Sequence, residues 1–120
     1  MKIAVTSQGQ NPSSAVDPRF GRAKYFVIVD LDSDTFETKE NSLALDAAQG
    51  AGIQAAESVS RWGVEAVLTG HCGPKAFRAL SAAGIKVFTG ITGTVKDAIS
   101  KFKAGGLKPA EGADVQGHWS

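Results

Sequence analysis

Cysteines and long apolar runs are scarce in this sequence, which excludes a disulfide or a structural zinc site within one chain and argues against a membrane helix. Its 120 residues include one cysteine, Cys72, whereas a disulfide needs two cysteines and the usual structural zinc sites need two to four. No apolar run approaches the ~20 residues of a membrane helix. Residues 1–6 turn polar too quickly for a signal peptide. We therefore expect a cytoplasmic protein with a reduced thiol and no membrane partner.

A strong charge of either sign is also missing. Thirteen Lys and Arg residues face twelve Asp and Glu residues, which leaves a formal net charge of +1. Nucleic-acid-binding domains normally carry a clear basic excess, so no nucleic-acid partner is predicted. Hydrophobic residues make up 42% of the chain, which is typical of a globular domain with one core. Residues 1–103 are predicted to form this single domain, and residues 104–120 an irregular C-terminal tail.

The order of apolar patterns predicts an α/β fold. A hairpin comes first, and strands and helices then alternate, which favours parallel neighbours joined by helical crossovers. The expected architecture is one mixed sheet of about five strands with helices on both faces. Strands are predicted at 2–6, 24–31, 35–39, 65–69 and 85–89, and helices at 49–62, 74–83 and 95–103.

Three loops are predicted to meet at the carboxyl edge of the parallel strands, where open α/β sheets bind ligands. They are residues 7–18, 70–74 and 90–94. The second and third loops open helices, whose exposed N–H groups and dipole attract anions. Thr92 and Gly93 of the third loop are therefore candidate contacts for an anionic ligand.

The loop Gly-His-Cys-Gly-Pro at 70–74 carries the clearest chemistry. A thiol just before a helix has a lowered pKa and becomes a soft metal ligand. His71 and Cys72 are accordingly candidate metal ligands, Lys75 can add positive charge, and Gly73 allows close backbone approach. The alternative is structural, because a lone cysteine is often a small buried hydrophobe and the glycines can be turn residues.

A second candidate site is the segment Arg19-Phe20-Gly21-Arg22, which enters the second strand. Two arginines can hold an anion through forked hydrogen bonds, with Phe20 covering it. Equally, the arginines can form a surface ion pair with Asp17, worth little energetically, while Phe20 packs into the core. The residues alone do not separate these two interpretations.

Two segments together resemble a known family. Asp-Pro-Arg-Phe-Gly-Arg-Ala-Lys-Tyr-Phe-Val-Ile-Val-Asp at 17–30 and Thr-Gly-His-Cys-Gly-Pro-Lys-Ala-Phe at 69–77 are similar to the nitrogenase iron–molybdenum cofactor biosynthesis family, which includes NifX-like proteins and the C-terminal domain of NifB. The resemblance covers about residues 1–103. It implies a ribonuclease H-like fold and non-catalytic binding or carriage of a metal–sulfur cluster, either a molybdenum–copper sulfide or an iron–molybdenum-type cluster. Protein partners in cluster delivery are implied as well.

With one thiol, the chain cannot build a conventional metal site alone. A polyanionic thiometallate held mainly by positive charge, shape and backbone N–H groups is therefore the alternative to direct sulfur ligation. The candidate cluster contacts are Arg19, Phe20, Gly21, Arg22, His71, Cys72, Gly73, Lys75, Thr92 and Gly93.

The residues give less support to other functions. A small enzyme with Cys72 as nucleophile lacks a well-placed base, because the neighbouring His71 does not face it and His118 lies in the tail. A nuclease would need clustered carboxylates, and the first strand carries none. A protein–protein adaptor in a redox or cell-division complex remains open.

Overall fold

The computed structural model describes residues 1–41 and 50–110. These residues form five strands and three helices in the order that the sequence predicts. The elements are β1 (Lys2–Ser7), β2 (Tyr25–Asp30), β3 (Thr35–Glu40), α1 (Ala51–Arg61), β4 (Ala66–Leu68), α2 (Pro74–Ala82), β5 (Lys86–Phe88) and α3 (Val95–Lys103).

The five strands form one mixed sheet in the order β3-β2-β1-β4-β5. β2 is antiparallel to both of its neighbours, with Val5 opposite Val27 and Val27 opposite Thr38. β4 is parallel to β1 and β5 is parallel to β4. This arrangement confirms the expected ribonuclease H-like α/β fold with a hairpin on one side and crossovers on the other.

Helices cover both faces of the sheet, as predicted. Ala4 and Phe26 face the core that α1 and α2 cover, which also holds Val59 and Leu80. On the other face, β1 contributes Ile3 and Val5, and α3 contributes Val95 and Ala98. Since successive residues of a strand alternate between faces, β1 supplies both cores and is buried from Ile3 onward.

Element boundaries agree with the sequence predictions to within one or two residues. β1 continues through Ser7, and β3 extends to Glu40 as an edge strand. The first helix, predicted from residue 49, begins at Ala51; residues 42–49 lie outside the described residues. No helix in the described ranges 1–41 and 50–110 is long and apolar enough to cross a membrane.

The chain after α3 returns to the outer side of β5. Residues 104–110 form no helix or strand, yet Leu107 packs against the α3-side core. The Ala110 N–H then donates to the Val87 carbonyl at 2.7 Å. The domain boundary at residue 103 stays a prediction, as do the properties of residues 111–120, which the structure does not describe.

Candidate functional site

The three predicted loops do meet at the carboxyl edge of the sheet. The loop after β1 turns back so that Val16 pairs with Ser7 and Ala15 pairs with Thr94. The Val16 N–H donates to the Gly93 carbonyl at 2.9 Å. On the other side, the Gly90 N–H donates to the Gly70 carbonyl at 2.8 Å. Backbone hydrogen bonds therefore fix the positions of the loops relative to one another.

Two buried threonines support this edge from below. Thr6 and Thr69 lie near the ends of the adjacent parallel strands β1 and β4, and both are fully buried. Their hydroxyl oxygens are 2.9 Å apart, and the Thr6 hydroxyl donates to the Asp17 carbonyl at 2.7 Å. This pair was not predicted from the sequence, although the two predicted strands 2–6 and 65–69 both end in threonine.

The two motifs lie side by side. Arg19 and His71 form a parallel bridge, and the Phe20 N–H donates to the His71 carbonyl at 3.1 Å. Gly70 makes this approach possible, because a Cβ there would lie 2.7 Å from the Cα and carbonyl oxygen of Pro18. The glycine is thus required for backbone contact between the motifs, whether or not a ligand is bound.

Gly21 and Asn41 hold the other end of the arginine motif. A Cβ at Gly21 would lie 2.8 Å from the Gly52 nitrogen at the start of α1. The Asn41 side-chain amide donates to the carbonyls of Gly21 and Ala23 at 3.2 and 2.8 Å. Asn41 is buried and was not predicted from the sequence, since nothing in the local pattern indicates these partners.

Cationic side chains surround the joined motifs. Arg19 and Lys75 are exposed, while Arg22 and His71 are half-buried. The nearby carboxylate of Asp17 is buried, and its Oδ1 accepts the backbone N–H of Arg19 at 3.0 Å. Because this carboxylate serves the loop backbone, the exposed part of the motif presents the guanidinium rather than an acid.

Phe20 and Cys72 point into the protein. Both are fully buried in the core that α1 and α2 cover. The Phe20 ring meets the Phe26 ring edge-on with centroids 5.6 Å apart, and the Cys72 Sγ lies 3.8 Å from the Gly73 carbonyl oxygen. Of the two interpretations of Phe20, core packing is therefore the observed one. Direct contact of either side chain with a cluster stays a prediction and requires the loops to move.

The start of α2 fits the prediction of an anion-attracting helix end. Gly73 is its N-cap and supplies no side-chain cap, Pro74 begins the helix, and no acidic residue occupies the first turn. Lys75 adds positive charge in the same turn. The helix dipole and this side chain therefore act in the same direction on an anion above the loop.

The start of α3 is different, and the prediction that it offers exposed N–H groups is wrong. The N–H groups of Val95 and Lys96 donate to the carbonyls of Ser14 and Pro12 at 2.9 and 2.8 Å. Thr94 and Asp97 form a capping box, with both hydrogen bonds at 3.1 Å. Hydrogen bonding of its carboxylate to Thr94, above all to the Thr94 backbone N–H, lowers the pKa of the Asp97 carboxyl. A carboxylate of the protein already stabilises this helix end.

Thr92 and Gly93 remain candidate contacts for an anionic ligand, because a ligand at this edge of the sheet could reach them. Both are exposed in the loop that precedes α3. The Gly93 carbonyl is already hydrogen-bonded to Val16, so this loop is held against the loop after β1.

Side chains of the described residues do not assemble a metal site by themselves. Among residues 1–41 and 50–110, no group of three His, Cys, Asp or Glu residues could hold a metal ion. His118 lies outside the described residues.

The fold and the cationic loop edge define a ribonuclease H-like domain suited to an anionic ligand. A family model described as dinitrogenase iron–molybdenum cofactor matches residues 1–105. The chain therefore belongs to that family, as the two sequence motifs indicated.

Solved structures agree with this assignment. The apo form of the orange protein from Desulfovibrio gigas is 43% identical, with a TM-score of 0.93 and coverage of 95% of this chain and 96% of that one. A Thermotoga protein given the provisional name NifB is 39% identical, with a TM-score of 0.79 and coverage of 90% and 91%. Among sequence relatives, an uncharacterised protein of Methanocaldococcus jannaschii is 29% identical over 92% of each chain.

Proposed function

We propose that this protein binds or carries a metal–sulfur cluster without catalysing a reaction, and that the cluster lies on the loops at the carboxyl edge of the sheet. The cargo is an anionic thiometallate, with a molybdenum–copper sulfide as the leading candidate and an iron–molybdenum-type cluster as the second. A cytoplasmic location and delivery to a protein partner are part of the same proposal.

The observation that carries this proposal is the bridge between Arg19 and His71. It brings the arginine motif beside the start of α2, where Lys75 lies and no acidic residue offsets the helix dipole. Positive charge from two distant parts of the chain thus converges on one edge of a protein with a net charge of only +1. A polyanion is the ligand class that this arrangement stabilises.

Charge is expected to contribute more than sulfur ligation in this proposal. Cys72 is fully buried and packs with apolar side chains, whereas Arg19 and Lys75 are exposed where a ligand can reach them. The sulfides of the cluster would complete the coordination of the metals, and the protein would supply positive charge, backbone N–H groups and shape. A minor contribution from Cys72 follows from this geometry.

The test uses the full chain, purified without metal, and titrated with copper(I) and tetrathiomolybdate. Visible absorbance and metal analysis after gel filtration measure the bound cluster. We expect Arg19→Ala and Lys75→Ala each to weaken binding about tenfold, since a charge-assisted hydrogen bond contributes roughly 1.5 kcal/mol or more. Higher ionic strength should weaken binding further.

Matched controls come from the opposite edge of the sheet. Arg61 ends α1 and Lys86 begins β5, so both lie near the amino ends of the parallel strands. Arg61→Ala and Lys86→Ala are expected to leave binding unchanged. A protein that takes up no cluster would refute the proposal. Loss of binding in Cys72→Ser alone, with Arg19→Ala and Lys75→Ala unaffected, would overturn the charge-based mechanism in favour of direct ligation.

A further inference from the structure

The outer edge of β3 has hydrogen-bonding groups directed away from the sheet. β3 is the terminal strand and pairs with β2 on one side. The Asn41 N–H donates to the Lys24 carbonyl at 3.1 Å, which fixes the alternation of the antiparallel ladder in the register of β2 and β3. The N–H and C=O groups of Phe36, Thr38 and Glu40 must therefore point outward.

The sequence of this strand, Thr-Phe-Glu-Thr-Lys-Glu, is complementary to itself in one antiparallel register. We propose that two copies of the chain pair through β3, with Thr38 opposite Thr38 of the second copy at the two-fold axis. Phe36 then lies opposite Glu40 of the second copy, and the outward backbone groups of both strands form the hydrogen bonds of the new ladder.

Charge selects this register. With Thr38 at the axis, Glu37 of each copy lies opposite Lys39 of the other, at a non-hydrogen-bonded position where opposed side chains are closest. Moving the axis by one residue places either Glu37 opposite Glu37 of the second copy or Lys39 opposite Lys39 of the second copy. Like charges that lie directly opposite each other destabilise the pairing. Moving it further leaves fewer strand residues paired.

A groove beside the strand adds a second complementarity. Phe36 is 52% exposed and, as the neighbour of Val29, lies on the face that α3 covers. Phe36, Ile99 and Lys96 line a groove of about 270 Å³ there, together with Lys103 and Asp34, which form an ion pair at 3.3 Å. In the proposed register, Glu40 of the second copy comes opposite Phe36 on this same face, beside the groove that Lys96 lines.

This pairing does not involve the proposed cluster site. β3 runs parallel to β1, and its Glu40 end is the end near the loops. Because the two strands of the pair are antiparallel, the loop edges of the two copies lie at opposite ends of the joined sheet. Pairing and cluster binding can therefore succeed or fail separately.

Charge reversal on the full chain tests the pairing. Sedimentation velocity from about 10 µM to about 1 mM covers the range expected of a small interface. The wild-type mass should rise toward that of two copies. Glu37→Lys or Lys39→Glu alone should weaken association about tenfold, because two cross-strand pairs change from attraction to repulsion. An equimolar mixture of the two variants should restore it, since their β3 strands then carry opposite charges.

Two further substitutions serve as controls. Glu57→Lys on α1 and Lys86→Glu on β5 make the same charge changes at exposed positions away from β3 and should leave association unchanged. A wild-type chain that stays a single copy at 1 mM would overturn the proposal. So would single variants that associate as tightly as the wild type, or a mixture that does not recover.

Discussion

Gly70 shows how one residue type can connect two distant motifs. Its missing side chain lets the backbone of the loop before α2 approach Pro18 closely enough for the Arg19–His71 bridge. A neighbouring glycine, Gly73, instead has an extended backbone as the N-cap of α2. The two glycines of one short motif therefore have different physical roles: Gly70 permits the close approach to Pro18, and Gly73 is the N-cap of α2.

Gly70→Ala is expected to lower the free energy of unfolding by about 1–3 kcal/mol, because the added methyl group would overlap backbone atoms of Pro18. Chemical denaturation measures the change. Gly106→Ala is the matched control, since a Cβ there meets its nearest atom at an ordinary 3.6 Å. Equal stability of Gly70→Ala and the wild type would contradict the required close approach.

The residues that the sequence could not place are those whose direction depends on distant contacts. Residue type and position predicted that the segments around Phe20 and Cys72 meet at the same edge, and they do. Whether each side chain turns inward or outward depends on Phe26 and on the helices that cover this core. No local pattern contains that information, and the same holds for the Asn41 amide that binds two carbonyls of another loop.

Among the elements, α3 is closed at its start by its own capping box. Thr94 as N-cap and the apolar stripe of Val95 and Ala98 predicted the helix correctly. The occupation of its first N–H groups by carbonyls of Pro12 and Ser14 was not predictable, because those carbonyls lie some 80 residues earlier in the chain. Local propensity thus located the helix, while long-range backbone contacts determined what its end can bind.

Asp97→Asn should remove a pH-dependent part of the stability. The folded-state pKa of this carboxyl is lowered by hydrogen bonds from Thr94, so its contribution is present above the unfolded-state pKa and is lost as pH falls through the lowered value. The stability difference between wild type and Asp97→Asn should be constant near neutral pH and decline in acid. Urea denaturation at several pH values measures it.

The capping partner gives a second test of the same helix end. Thr94→Ala should cost about 1 kcal/mol of stability, as is typical for loss of an N-cap side chain. Glu57→Gln, an exposed carboxyl substitution in the middle of α1, is the matched control for the change from carboxyl to amide. If Asp97→Asn and Glu57→Gln had the same pH profile, the capping box would not be the cause.

At the scale of the whole molecule, charge is distributed unevenly despite a net value of +1. Cationic side chains gather around the loops at the carboxyl edge, whereas the hairpin between β2 and β3 carries Asp30, Asp32 and Asp34. The Met1 ammonium lies beside that hairpin, 2.6 Å from Asp32, and this contact raises the pKa of the amine. The Asp34 carboxylate in turn lies 3.3 Å from the Lys103 ammonium, so cations of the protein partly neutralise the acidic hairpin.

Binding of the cluster at the loops of the carboxyl edge should stabilise the folded protein, because a ligand that binds only the folded state shifts the unfolding equilibrium. At free ligand ten times the Kd, linkage gives about 1.4 kcal/mol, which corresponds to a rise of roughly 5 °C in Tm for a domain of this size. Thermal denaturation with and without copper(I) and tetrathiomolybdate measures the shift. Lys75→Ala should show a smaller rise at the same ligand concentration, and Lys86→Ala the full rise. Equal rises in Tm for Lys75→Ala and Lys86→Ala would show that the stabilisation does not arise from binding at the loop edge.

The hydrogen bond from the Ala110 N–H to the Val87 carbonyl lies on the outer side of β5, at the end of the sheet opposite β3. Within the described residues, the chain after α3 occupies the outer side of β5, and β3 is left as the strand with an open side. Association of β3 with β3 uses the same surface on both molecules, so it consumes the open side of each. An assembly that uses only this edge therefore ends at two molecules.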